Sequence, residues 1–147
     1  MALIFESKNF TVEAPDRPHV DRLDGGHIVI NPKIMAEDRT QLSSALGKEL
    51  MMLTMVVGEA MKVGLSRRGI DIGRINYQDN GNWRHELHVH LYGRAKSATK
   101  QRYGEALSFP KPEKGYYEGL SPLDADDIAS VQSEIERLLA TDKYRNF

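Results

Sequence analysis

The stretch HELHVHLYGR, residues 85–94, places His85, Glu86, His88 and His90 within six positions of a chain that has five histidines in all. Read as a strand, it turns Glu86, His88 and His90 to one side and Leu87, Val89 and Leu91 to the other, with His85 where the apolar side begins. The apolar side suits cover by a helix, so the histidine side is the polar, open one. Three readings compete for it. Glu86, His88 and His90 at i, i+2 and i+4 could ligate a metal. A neutral imidazole could instead attack an activated phosphoryl group, with a second imidazole contacting phosphate or leaving group. The third reading is a surface strand without a chemical role. The residues after His90, LYGRAK, hold no carboxylate to complete a His-x-His metal set of the cupin kind.

Working outward, IDIGRINYQ (70–78) alternates as a strand and DNGNW (79–83) reads as a turn or short loop, so a hairpin delivers the histidines. In that alternation Ile70, Ile72 and Arg74 share one side. Before it, Leu42, Leu46, Leu50, Leu53, Val57, Ala60 and Gly64 recur at spacings of three and four, predicting a helix over 39–64 with Asp38 as N-cap. Its four methionines (51, 52, 55 and 61) suit a core or a subunit interface. Upstream, LIF (3–5) and FTVEA (10–14) read as strands, and HVDRL and HIVIN as a pair reversing at Asp24-Gly25-Gly26. Downstream, six Lys or Arg against Glu105 and Glu113 make 94–114 a basic surface loop or flap. A second helix over 122–141 is capped by Ser121, with Pro122 in its first turn. The expectation is an α+β fold: one antiparallel sheet of about five strands, a packed helix and an additional C-terminal helix in a single domain spanning 1–147.

At 147 residues the chain can bury a core without staples, and with no cysteine it has neither disulfide nor thiolate chemistry. Its 20 Lys plus Arg against 21 Asp plus Glu give a net charge of -1, so bulk charge does not hold nucleic acid and no stable nucleic-acid complex is expected. No run approaches 18 apolar residues and no signal-like start is present, so the expectation is a cytoplasmic protein with no membrane partner.

The motifs together resemble the histidine triad (HIT) family, whose signature is His-φ-His-φ-His-φ-φ on a strand. ELHVHLY (86–92) occupies that signature, with Glu86 at the first histidine, His88 at the second and His90 at the third. GGHIVINPK (25–33) resembles the family's Gly-His-φ-φ-φ-x-Pro-Lys strand and places His27 beside His88. In INYQDNGNW, Asn76 resembles a phosphate-side asparagine, Gly81 the turn glycine, and Asn82 stands where the family has glutamine. Trp83 stands where it has a small hydroxyl residue. The resemblance spans about 10–94 and leaves 95–147 as a C-terminal extension.

The resemblance implies hydrolysis or nucleotidyl transfer at the α-phosphate of nucleoside phosphoramidates, dinucleoside polyphosphates or related nucleotides. It makes His88 the nucleophile, supported by His90 and His27, with Asn76, Gly81, Asn82, Trp83 and Glu86 at the substrate; Arg94, at the head of the basic run directly after the histidine strand, is near enough in sequence to reach a phosphate. The family uses chiefly the backbone carbonyl of the first triad position, which survives the change to Glu86. Neither metal nor cofactor is implied. A homodimer through the first helix and its neighbouring strand is implied, and the surplus of apolar residues in KELMMLTMVVGEAMKV (48–63) agrees with it. The alternatives are a catalytically weak nucleotide-binding protein and a metal-dependent enzyme using Glu86, His88 and His90.

Overall fold

The computed structural model describes residues 1–146. Five strands, β1 (Ala2–Glu6), β2 (Phe10–Ala14), β3 (His27–Pro32), β4 (Ile72–Gln78) and β5 (Val89–Ala95), form one antiparallel sheet in the order β1-β2-β3-β5-β4. The long helix α1 (Ser44–Arg67) connects β3 to β4, and α2 (Ala125–Leu139) packs on α1. The α+β architecture is therefore the expected one. No helix is long and apolar enough to cross a membrane among the described residues.

Alternation explains how the sheet presents a site. Ile28 and Ile30 of β3, Val89 and Leu91 of β5, and Val12 of β2 enter one core with Leu53, Val57, Ala60 and Met61 of α1. The residues between them, His27, Val29, His90 and Tyr92, stand on the other face of the sheet. In α1 the predicted stripe is buried from Leu50 onward, whereas Leu42 precedes the helix and Leu46 is only partly covered. Met61 is core, while Met51 is 58 % and Met55 38 % exposed.

Several local readings are corrected. Asp38 caps a short 3-10 turn at Arg39–Gln41, and the N-cap of α1 is Ser43, whose side chain accepts the Leu46 amide. The helix passes Gly64 and ends at Arg67. At Gly64 the backbone of Ser130 and Val131 lies 3.1 Å from where a Cβ would stand, so this glycine is a helix-crossing point. The helix α2 starts after Asp124, in a reciprocal capping box with Asp127, and not after Ser121. Asp127, fully buried, is paired with Arg22 and Arg68 and ties α2 to the rest.

HVDRL forms no strand. The Asp21 carboxylate accepts the Leu23 amide and closes a 3-10 turn, so local side-chain bonding replaces the ladder, and β3 pairs with β2 and β5 instead. A register shift in β4 between Ile72 and Arg74 puts Ile72 and Ile75 in the core, in place of simple alternation from Ile70. The histidine segment also enters its strand late. The Leu87 amide donates to the Ala36 carbonyl, so residues 79–88 form a loop and pairing starts at Val89.

The basic run is a fixed surface segment. The buried carboxylate of Asp24 accepts the amides of Thr99, Lys100 and Gln101, and Lys100 reaches Asp21. Close approach of two glycines accompanies this. A Cβ on Gly93 would lie 1.9 Å from the Gly25 carbonyl oxygen.

Candidate active site

A cleft of about 510 Å³ opens on the sheet face away from α1. His27 and Val29 of β3 and His88, His90 and Tyr92 of the β5 segment form its floor. Loop residues Gly81, Asn82, Trp83 and Arg84 line one side, and Arg17, His19, Phe109 and Lys111 also contribute to the lining.

His88, His27 and His90 are each held in one tautomer by what faces them. His88 Nδ1 lies 2.7 Å from the Glu86 carbonyl oxygen, which can only accept, so Nδ1 carries the proton and Nε2 carries the lone pair. Burial holds the His88 pKa below 6.5; the Glu86 carbonyl works upward against this and the Arg84 charge adds to the depression. A neutral imidazole with an available Nε2 is the result.

His27 is fixed from the opposite side. The His19 backbone N–H donates to His27 Nδ1 at 3.1 Å, so the proton of neutral His27 sits on Nε2. That Nε2–H donates to His90 Nδ1 at 2.9 Å, and His90 keeps its own proton on Nε2. Burial first, then the neighbouring His88, His19 and Arg84, lower the His90 pKa to about 3. Burial and the other three histidines hold completely enclosed His27 well below its ordinary value. The chain of bonds leaves His90 as a neutral N–H donor.

His19 continues the cluster. Its ring stacks on His27 at 4.7 Å and 28°, and its Nδ1 lies 2.8 Å from the Tyr92 hydroxyl. Burial pushes the Tyr92 phenol well above its usual range, so it keeps its proton and can donate it to His19, whose pKa burial lowers to about 4. Trp83, Phe109 and Tyr117 surround His19 with ring centroids at 5.6, 5.7 and 5.3 Å. One end of the cleft is therefore aromatic.

Ring nitrogens of His19, His27 and His90 lie within 4.8 Å of one another, close enough to suggest a metal centre. The bonding fits this poorly. A cation on His27 Nε2 would require the proton on Nδ1, which would then face the N–H of His19, setting donor against donor. The other metal set, Glu86, His88 and His90, does not converge: the Glu86 carboxylate is exposed, 4.0 Å from the Arg84 guanidinium.

Of the residues expected to act, His27, His88, His90, Gly81, Asn82 and Trp83 line the cleft. Glu86 contributes its carbonyl. Asn76 and Arg94 do not line it: buried Arg94 donates to Asn76 Oδ1 at 2.7 Å and to the carbonyls of Arg102 and Glu105, bracing the segment beyond β5. Tyr92, His19, Arg84, Phe109 and Lys111 escaped the sequence reading. Tyr92 carried a signal, since it is in phase with His88 and His90; His19 and Phe109 carried none.

No model of a known family matches the chain, and no curated protein matches it. Solved structures do match. A histidine triad protein from Sinorhizobium meliloti is 17 % identical, with a TM-score of 0.66, over 92 % of this chain and 87 % of that one. A zinc-bound histidine triad family protein from Mycobacterium smegmatis is 19 % identical, with a TM-score of 0.58, over 92 % and 84 %. A uridylyltransferase is 18 % identical, with a TM-score of 0.55, over 92 % of this chain and 41 % of that one. The chain has the histidine triad fold.

Proposed function

We propose that the protein is a nucleotide hydrolase or nucleotidyl transferase that works through a covalent nucleotidyl group on His88. The observation that carries this reading is the hydrogen bond from His88 Nδ1 to the Glu86 carbonyl. It points the lone pair of Nε2 outward and stabilises the positive charge that the ring gains when it attacks. Nε2 attacks the α-phosphorus, the bond to the leaving group breaks, and water then cleaves the N–P bond to release a nucleoside monophosphate. His90 donates its Nε2–H to a phosphoryl oxygen, and His27 positions His90 without touching substrate. Gly81 and Asn82, which line the cleft, are read as phosphate contacts, and Trp83 stands against His19 at the aromatic end.

The chain is further proposed to act as a homodimer. Met51 and Met55 on α1 and half-exposed Tyr77 on edge strand β4 leave apolar surface uncovered on the helix-and-strand side. The test of function is direct. Protein incubated with adenosine 5′-phosphoramidate or a diadenosine polyphosphate should release AMP, and acid-sensitive adenylylation should map to His88 by mass spectrometry. Adduct formation without turnover would indicate the catalytically weak nucleotide-binding reading, and release of AMP without an adduct in a His88→Ala variant would overturn the nucleophile.

A further inference from the structure

Arg84 stands in the cleft with no role in the scheme above. It lines the cavity together with His88, and its Nη2 donates to Asn31 Oδ1. Asn31 is in turn held by Glu13, whose carboxylate accepts from Asn31 Nδ2 at 2.8 Å. Among the described residues, Arg84 Nε has no hydrogen-bond partner although it is shielded from solvent. A guanidinium steered by one neutral acceptor and left with an unused donor is incompletely satisfied. Its nearest carboxylate, Glu86, is 4.0 Å away and exposed, too loose to neutralise it.

The Arg84 side chain is 40 % exposed, and position along the sheet gives its guanidinium a direction. The pairing of β3 with β5 runs His27 with Tyr92 and Val29 with His90. One step of two further along the same face lies Asn31, beyond His90 on the His88 side. Arg84 is thus anchored at the end of the cleft opposite Tyr92, His19 and Phe109. A ligand whose reacting phosphorus sits at His88 and His90 has the aromatic rings on one side, with Arg17 and Lys111 also lining the cleft, and the Arg84 guanidinium on the other.

We propose that Arg84 binds the departing phosphate, so that the preferred substrates are nucleotides whose leaving group is itself a phosphate chain and not an amine. This rests on the assignment of His88 as nucleophile. In the transfer step the bond from Nε2 to phosphorus forms as the P–O bond to the leaving phosphate breaks. The bridging oxygen departs with the electron pair, and Arg84 neutralises the charge it gains. Such a leaving group needs no proton, whereas an amine must acquire one. Arginine suits the task because its planar fork can hold two phosphate oxygens while keeping the Asn31 contact.

The test compares calorimetric binding of ADP and AMP, with GDP and GMP as a second pair, to wild-type protein, Arg84→Gln and Arg84→Lys. Thermal melts serve as the folding control. Wild type should bind each diphosphate about tenfold or more tighter than its monophosphate, as one charge-assisted contact gives. Arg84→Gln should bring the ratio to within about twofold, and Arg84→Lys should retain part of it. A wild-type ratio near one, or a ratio unchanged in a folded Arg84→Gln, overturns the proposal. Because binding needs no turnover, this outcome is separable from failure of the nucleophile, which the His88 adduct reads. Absence of any nucleotide binding would overturn both.

Discussion

His27 Nε2 lies 2.9 Å from His90 Nδ1, and the His19 backbone amide, 3.1 Å from His27 Nδ1, determines which of the two donates. A main-chain N–H thereby sets the proton position two rings away. The same logic, with a carbonyl in place of the amide, fixes His88 through Glu86. The cleft consequently offers one lone pair and one N–H donor from adjacent imidazoles on one strand face.

Replacing His88 by Ala should abolish nucleotidyl transfer, by about 10³-fold or more, with the fold kept. His88 immediately precedes β5 and lines the cleft, so its loss removes little core volume. His88→Gly supplemented with imidazole should recover part of the rate. Single-turnover AMP release from protein freed of contaminating hydrolases checks this.

His90→Ala should cost about 2.7–4 kcal/mol in the transfer step, as expected for one lost transition-state donor. His27→Ala should cost less, because it frees the His90 proton to move between nitrogens without removing it. An effect of His27→Ala larger than that of His90→Ala, in protein with an unchanged melting curve, would falsify the relay.

The proposed attack by His88 requires its neutral form, and burial holds its pKa below 6.5, so the acid limb of the rate profile should lie below pH 6.5. Arg84→Gln removes a charge that disfavours the imidazolium, which should move that limb upward. An acid limb above pH 6.5 in wild type would contradict the burial of His88.

Stability should follow the buried histidines. His19, His27 and His90 have folded-state pKa values depressed to about 4, well below ordinary, and to about 3. Protons therefore bind the unfolded chain first. Their contribution is fully present above about pH 6.5 and is lost as pH falls toward 4 and 3. A melting temperature that is constant from pH 7 to pH 4 would be the contrary result.

Equilibrium sedimentation at micromolar concentration should give a dimer, and Met51→Glu with Met55→Glu should give a folded monomer. Both methionines are exposed on α1, one turn apart, so the charges add no burial within a single chain. A wild-type monomer would remove the interface assigned to α1 and β4.

Gly93→Ala should destabilise the fold by about 3 kcal/mol, the upper end for overpacking, because its Cβ would meet the Gly25 carbonyl oxygen at 1.9 Å and the backbone has to separate. Since this contact joins the turn before β3 to β5, His27 should shift from His90 as well. Urea unfolding together with the AMP-release assay reads both effects.

The sequence by itself determined the parts that repeat locally. Period two put His88, His90 and Tyr92 on one face, spacing of three and four made α1, and GGHIVINPK with ELHVHLY, as a pair, indicated the fold the solved structures share. What only the tertiary structure decided depends on partners distant in the chain. The bond joining His27 to His90 spans 63 residues, the one joining His19 to Tyr92 spans 73, and the one holding Gln101 on Asp24 spans 77. No local pattern encodes these. Asp21 shows the converse, since its side-chain bond to the Leu23 amide overrode the strand that HVDRL suggested. The tautomers of His27, His88 and His90, the withdrawal of Asn76 and Arg94 from the cleft, and the entry of His19 and Arg84 into it follow from which donor or acceptor each side chain meets after folding. A strand's period fixes only the face on which a side chain stands; the groups opposite it come from other strands and loops, and they decide where its proton sits.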